Sequence, residues 1–140
     1  MGPTTGERGR KDFNRGTAAR SVRRDDNLEY IEPWAWMHPP RHALAALLME
    51  QGHYGEAEQI YRDDLGLSGK IQRCAQHPDN VWALHGLVEC LQRRNDGSEL
   101  PLFQKKLARA QELTDVAVTS SCMCRGLTFA PSSCCVKISG

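Results

Sequence analysis

The sequence predicts an all-α fold, and three observations lead to this prediction. Apolar residues recur with one-face helical spacing in four segments between residues 40 and 114. Turn-forming residues separate these segments, among them Gly52 and the Asn-Asp-Gly-Ser run at 95–98. The 140 residues, 40% hydrophobic and 25% charged, suit one modest soluble domain. We therefore expect four helices that pair as two antiparallel hairpins.

The first predicted hairpin joins a helix over residues 41–50 to a second helix over about 55–65. Gly52 follows the first helix, where glycine favours a helix end. Each helix carries an apolar stripe that faces its partner. The stripes consist of Leu44, Ala45, Leu47 and Leu48 in the first helix, and of Ala57, Ile60, Tyr61 and Leu65 in the second.

The second predicted hairpin begins at Asp79, which we expect to cap the third helix. Pro101 restricts the start of the fourth helix, because proline fits only its first turn. The predicted core residues are Leu84, Leu87, Val88 and Leu91 in the third helix, and Phe103, Leu107, Ala110 and Leu113 in the fourth.

Segments of different composition flank the predicted helical domain at 40–117. Residues 1–24 hold seven basic and two acidic residues and few large apolar ones, so we expect a disordered basic arm over 1–27. Residues 28–39 contain two of the three tryptophans and two prolines, with Pro40 directly after them, and we expect an extended strap or an aromatic ligand-binding lip. Residues 118–140 form a flexible, cysteine-rich C-terminal tail in this prediction.

Residues 52–61, with the sequence Gly-His-Tyr-Gly-Glu-Ala-Glu-Gln-Ile-Tyr, resemble a tetratricopeptide repeat. The resemblance extends over 40–114, as two degenerate repeats. The matching positions are Leu44, Ala45 and Leu48 in helix A, Gly52 and Tyr54 at the turn, Ala57 and Tyr61 in helix B, and the closing Pro78. Leu87 lies 43 residues after Leu44, nine more than one repeat of about 34, and 66–76 accommodates the excess. Asp64 departs from the pattern, because a small residue is usual there.

The resemblance implies an α-solenoid fragment that acts as a scaffold or adaptor and binds a protein or peptide in a concave groove formed by the A helices. Two repeats are few, so flanking segments or a second copy in a homo-oligomer would cap the stack. The family's carboxylate clamp is not evident, and we do not expect a chaperone tail as the ligand. The predicted groove residues are His42, Ala46, Met49, Glu50, Trp82, His85, Glu89, Gln92 and Arg93. The alternative for Trp82 is packing beneath the next helix.

The cysteines suggest an alternative function, a thiol-based metal-binding or redox accessory protein. Four of the six cysteines lie in the tail, namely Cys122, Cys124, Cys134 and Cys135. Their Cys-Met-Cys and Cys-Cys spacings lack the two-residue gaps that wrap a tetrahedral metal, so a reduced tail without metal is the competing interpretation.

Enzyme motifs do not occur in the sequence, so we expect no catalysis and no cofactor. The run 66–70 has glycines too close together for a phosphate loop. Two prolines separate His38 from His42, which predicts that these histidines do not form a metal pair, and His85 faces Cys90 poorly. With a net charge of +1 and no long apolar run, we expect no nucleic-acid or membrane partner and a cytoplasmic location, with the nucleus as the alternative.

Overall fold

The structure, a computed structural model, describes residues 5–28, 38–122 and 125. These residues contain helices and turns and no strand, so the predicted all-α class is confirmed. The elements are α1 (Thr5–Asp26), α2 (Pro40–Glu50), α3 (Tyr54–Asp64), a 3-10 turn (Arg73–Ala75), α4 (Val81–Arg93) and α5 (Leu100–Glu112).

The helices pack in chain order, each against the next, and α2 also touches α4. Three residues connect α2 to α3, and so short a connection makes the two helices antiparallel. The predicted stripes supply most of the core, except that Leu47, Ile60 and Leu107 are only partly buried and Leu113 is exposed. The buried core consists of Leu44, Ala45, Leu48, Met49, Ala57, Tyr61, Leu65, Ala83, Leu84, Leu87, Val88, Cys90, Leu91, Phe103 and Ala110.

The helix ends follow from local chemistry. Gly52 adopts a φ of +81° after α2, in the left-handed region that glycine enters without a side-chain clash. Asn80, not Asp79, caps α4: its Oδ1 accepts hydrogen bonds from the backbone N–H groups of Trp82 and Ala83, at 3.0 and 3.1 Å. The prediction of Asp79 was wrong because this residue has a φ of +57° in the preceding turn, which leaves the next side chain to face the helix end.

Tyr61 of α3 packs directly against Gly86 of α4. A Cβ atom placed on Gly86 would lie 2.2 Å from the Tyr61 Cζ atom and 2.5 Å from both Cε atoms. The tyrosine is fully buried. The α3–α4 contact therefore requires a residue without a side chain at position 86.

The prediction of a disordered arm over 1–27 was wrong for Thr5–Asp26, which form α1. This helix packs against α2 and contributes Ala18, Ala19 and Val22 to the edge of the core. Its end is tied to α2 by an ion pair between Asp26 and the buried Arg41. The prediction used only the composition of the arm. Most protein helices are stabilised by packing against other parts of the chain, which the composition of one segment does not reveal.

The prediction of a flexible tail was wrong for its first part. Val118, Ser121 and Cys122 are buried, and Arg125 forms ion pairs with the helical domain. Leu113, expected in the core, is 83% exposed because α5 ends one residue earlier. The predicted lead-in residues 29–37 and the tail residues 123–124 and 126–140 lie outside the described part of the chain.

Candidate functional site

An open groove of about 320 Å³ lies between α4 and α5. Both helices contribute residues at relative positions 0, 3, 4 and 7, which share one face of a helix. The buried Val88 and the partly buried Leu107 form its apolar floor, and polar side chains surround them. The lining residues are His85, Val88, Glu89 and Gln92 from α4, and Gln104, Leu107, Ala108 and Gln111 from α5. We call this surface the α4–α5 groove.

Three of the nine predicted groove residues line the α4–α5 groove: His85, Glu89 and Gln92. Glu50 and Arg93 are exposed outside it, and Trp82 is half-buried near His38, with ring centroids 6.4 Å apart. Because His38 precedes α2, this contact does not test whether Trp82 packs beneath the next helix.

His42, Ala46 and Met49 were expected on an exposed face, and this expectation was wrong because all three are buried. Helix α1 packs against α2, and the Cys90 thiol of α4 donates a hydrogen bond to Met49 Sδ at 3.1 Å. The surface was predicted on α2 and α4, whereas the open groove lies between α4 and α5. The α5 residues of the groove were missed, although their spacing repeats that of the α4 residues.

Glu89 is the charged residue at the centre of the groove's α4 side. Its carboxylate accepts two hydrogen bonds from the Arg125 guanidinium, at 2.8 and 3.2 Å. Arg93, one turn later, lies 3.9 Å from the same carboxylate. Burial lowers the pKa of the neighbouring His85, against the opposing effect of the Glu89 charge, so this imidazole is neutral at pH 7.

Val118 and Arg125 contact residues that line the groove. Gln111 of α5 donates a hydrogen bond from Nε2 to the carbonyl oxygen of Val118, at 3.3 Å. Ser121 lies beside Tyr61, whose pKa is raised by burial. Arg125 also lies 3.9 Å from Glu50 at the end of α2. Val118 and Arg125 together thus contact both helices that line the groove.

A buried cluster of polar side chains joins α2, α3 and the following loop. Asp64 is fully buried, and its two carboxylate oxygens lie 2.8 Å from His42 Nε2 and 2.8 Å from His77 Nδ1. The backbone N–H of His77 also donates to the carbonyl oxygen of Asp64 at 2.6 Å. Burial by itself would raise the pKa of Asp64, but the hydrogen bonds from the two histidines outweigh it and hold the pKa below its usual value.

The ring centroids of His38 and His42 lie 5.1 Å apart in an edge-to-face arrangement, and the absence of a metal pair here stays a prediction. Pro39 occupies the N-cap position of α2 and Pro40 lies in its first turn. Proline is tolerated at the start of a helix, so both prolines are compatible with α2 beginning here. The signal for the cluster was Asp64, a charged residue where the sequence resemblance implies a small one. The described residues include no group of three or more histidine, cysteine or acidic side chains arranged to hold a metal.

The cysteines differ in state. Burial, together with the charges of Glu58 and Glu89, raises the pKa of Cys90 to about 12, so this thiol stays protonated. Cys74 is free and exposed. Cys122 is buried and disulfide-bonded, which removes it as a thiolate ligand in this state. Cys124, Cys134 and Cys135 lie outside the described residues.

Within the described ranges, none of the helices combines the length and the apolar character needed to cross a membrane. Compared with protein-family models, curated proteins and solved structures, the chain matches none of them. The functional interpretation therefore depends on the geometry of the α4–α5 groove and on the residues around it.

Proposed function

We propose that this protein is a non-catalytic, tetratricopeptide-like interaction module that binds a peptide segment of a partner protein in the α4–α5 groove. The observation that carries the proposal is the groove itself, in which two helices present the same spacing of residues around an apolar floor. The repeat-like sequence at 52–61 and the packing of helices in chain order support the same interpretation.

The groove has the size and chemistry for part of a peptide. Its volume of about 320 Å³ lies at the low end of the range for ligand pockets, enough for one or two side chains. Val88 and Leu107 offer an apolar surface to such a side chain. Gln92, Gln104 and Gln111 carry amides that both donate and accept hydrogen bonds, as a peptide backbone does.

A second cavity, of about 590 Å³, lies between the start of α4 and the end of α5 and is the other candidate for peptide binding. That cavity is lined by Lys106, Arg109 and the exposed Leu113, among others. It lies where a further repeat would stack, so its open face has a structural explanation in a short repeat array. We therefore place peptide binding in the α4–α5 groove.

The test is selection of peptides from a random phage-displayed library on the full chain, followed by affinity measurements on two variants. Ala108→Arg inserts a long charged side chain into the groove at an exposed position of α5. Leu113→Arg places the same side chain in the second cavity. We expect the selected peptides to lose about tenfold or more in affinity on Ala108→Arg and to bind Leu113→Arg as they bind the wild type.

Two results contradict the proposal. One is selection that enriches no peptide above the level found with unfolded chain. The other is a set of peptides whose binding is unchanged by Ala108→Arg or is lost only with Leu113→Arg, which would move the site to the second cavity. Circular dichroism of both variants verifies that they are folded.

A further inference from the structure

We infer that the outer side of α5 binds a helix of a partner protein, and that this helix presents acidic side chains between two apolar ones. The surface is separate from the α4–α5 groove, so the two can be occupied independently. Its centre is a row of exposed residues that we call the α5 outer row, which consists of Leu102, Lys106 and Arg109 in α5 and of Leu113 directly after it.

The spacing of the α5 outer row selects a helical partner. Its four members are 4, 3 and 4 residues apart, so they follow one side of the helix over about three turns. The core-facing residues of the same helix are 3, 4 and 3 residues apart, namely Leu100, Phe103, Leu107 and Ala110. Alternation of three and four residues is the spacing at which one helix packs along another. Helix α5 therefore presents two packing surfaces, of which only one is covered by the core.

The ends of the row are apolar. Leu102 and Leu113 are 54% and 83% exposed, and they lie at opposite ends of α5. Leu113 also lines the second cavity, of about 590 Å³, together with the partly buried Val81. This volume is within the range of pockets that bind ligands. A helix packed along the row would remove both leucines from water and fill the cavity, which favours binding.

The charges of this surface select an acidic partner. A smaller cavity, of about 220 Å³, shares Asp79 and Lys106 with the second cavity. Arg73 lines the smaller cavity and Arg109 the larger one, so the described lining of the two cavities holds three cations and one acid. Neither arginine forms an ion pair with another described residue. Lys106 lies 3.6 Å from Asp79, but both side chains are exposed, so this pair can exchange with a partner's carboxylate.

A second copy of the chain fits the row less well than an acidic helix. The spacing of 4, 3 and 4 residues is the same in both directions, so a two-fold contact would place Lys106 of one copy opposite Arg109 of the other. These like charges repel each other. Two carboxylates at the same positions would instead pair with both cations. The complementary row is therefore apolar, acidic, acidic and apolar, at the same spacing.

The experiment uses a fluorescent helical peptide of about 20 residues, long enough to form a helix without a partner. It is built from alanine and glutamine, and it carries leucine, glutamate, glutamate and leucine at the spacing of 4, 3 and 4 residues. A matched peptide carries lysine in place of both glutamates. Binding to the full-length chain is measured by anisotropy, and circular dichroism verifies that the two peptides are equally helical. We expect the glutamate peptide to bind at least about tenfold more tightly than the lysine peptide.

A charge exchange tests the two cations of the row. On the full-length Lys106→Glu/Arg109→Glu variant, the preference should reverse, because the lysine peptide then meets two carboxylates. The control variant, Lys70→Glu/Arg93→Glu, changes the net charge by the same amount at exposed positions outside the row. We expect this control to keep the preference of the wild type. Circular dichroism verifies that both variants are folded.

A second pair of variants tests the apolar ends of the row. Leu102→Ser/Leu113→Ser should weaken binding of the glutamate peptide by about tenfold, since the leucines no longer contribute apolar surface. Val116→Ser changes an exposed apolar residue outside the row, and we expect it to bind the glutamate peptide as the wild type does.

Four results would overturn the inference. These are equal or absent binding of the two peptides to the wild type, an unchanged preference on Lys106→Glu/Arg109→Glu, equal binding to Leu102→Ser/Leu113→Ser and Val116→Ser, and a wild-type dimer that Leu102→Ser/Leu113→Ser dissociates. The last result would assign the row to a second copy of the chain.

Ala108→Arg separates this inference from the proposed function, because Ala108 lines the α4–α5 groove on another side of α5. We expect this variant to bind the glutamate peptide as the wild type does, while library-selected peptides lose affinity for it. Loss of the glutamate peptide with Ala108→Arg would place its site in the groove and overturn the inference. Library peptides that are insensitive to Ala108→Arg would contradict only the proposed function.

Discussion

The α3–α4 contact and the α4–α5 contact are built from similar amphipathic helices, yet one is closed and the other is open. Tyr61 fills the space above Gly86 in the first. In the second, a groove of about 320 Å³ remains between the helices, and Leu102 of α5 and Leu113 just after it are exposed. The difference shows that an apolar stripe indicates a buried face only where a further helix covers it, and α5 is the last long helix described.

Two ion pairs of the molecule, one buried and one at the groove, differ in their exposure to water. Asp64 lies with His42 in an interior that water does not reach, whereas Glu89 and Arg125 are partly exposed at the groove. Removing one member of a buried pair leaves the other uncompensated, whereas an exposed pair can exchange with water or with a partner. We therefore expect disruption of the first pair to cost more stability than disruption of the second.

The largest effect is expected from Asp64→Ala. Loss of the carboxylate leaves two histidines without their common partner, and we expect the free energy of unfolding to fall by about 3–5 kcal/mol in urea titrations at pH 7. Asp63→Ala, one residue earlier and partly exposed, is the control, with an expected loss of less than about 1 kcal/mol. Equal losses for the two variants would contradict a structural role for the cluster.

A smaller but clear effect is expected from Gly86→Ala. The added methyl group would overlap the Tyr61 ring, so we expect a loss of about 1–3 kcal/mol in the free energy of unfolding. Gly55→Ala is the matched helical control, since nothing lies within 4 Å of its Cβ position, and it should gain up to about 1 kcal/mol. A gain in both variants would show that the α3–α4 contact adapts.

The pH dependence of stability separates the two regions further. The pKa of Asp64 is lower in the folded state, so its stabilising contribution is present above the unfolded pKa of about 3.9 and is lost as the pH falls towards the folded value. Urea titrations between pH 5 and pH 2 should show a steeper loss for the wild type than for Asp64→Asn. Parallel curves would place the acid-sensitive group elsewhere.

The smallest effect is expected from Leu113→Ser at the open end of α5. This residue is 83% exposed, so the free energy of unfolding should change by no more than about 0.5 kcal/mol. Leu91→Ser, at a fully buried position, should instead cost about 3 kcal/mol. A larger and concentration-dependent loss for Leu113→Ser would indicate that a second copy of the chain covers this end, as in the predicted homo-oligomer.

Prediction of the helices from sequence succeeded where the signal was local. The bounds of α2 and α3 agree within one residue with those predicted, because Gly52 and the 3.6-residue periodicity act within a few turns. Prediction of the groove succeeded only in part. His85 and Glu89 line it, but His42 is buried, since the sequence does not reveal which face of α2 a distant segment covers.

The sequence by itself determined the helical class, the four amphipathic segments and most of the core, because these depend on the spacing of side chains along one helix. Tertiary structure decided that residues 5–26 become a helix, that Asp64 joins two histidines, and that Val118 and Arg125 contact residues of the α4–α5 groove. These outcomes depend on contacts between residues far apart in the chain. Their free energy arises from burial and pairing that exist only once the helices have packed.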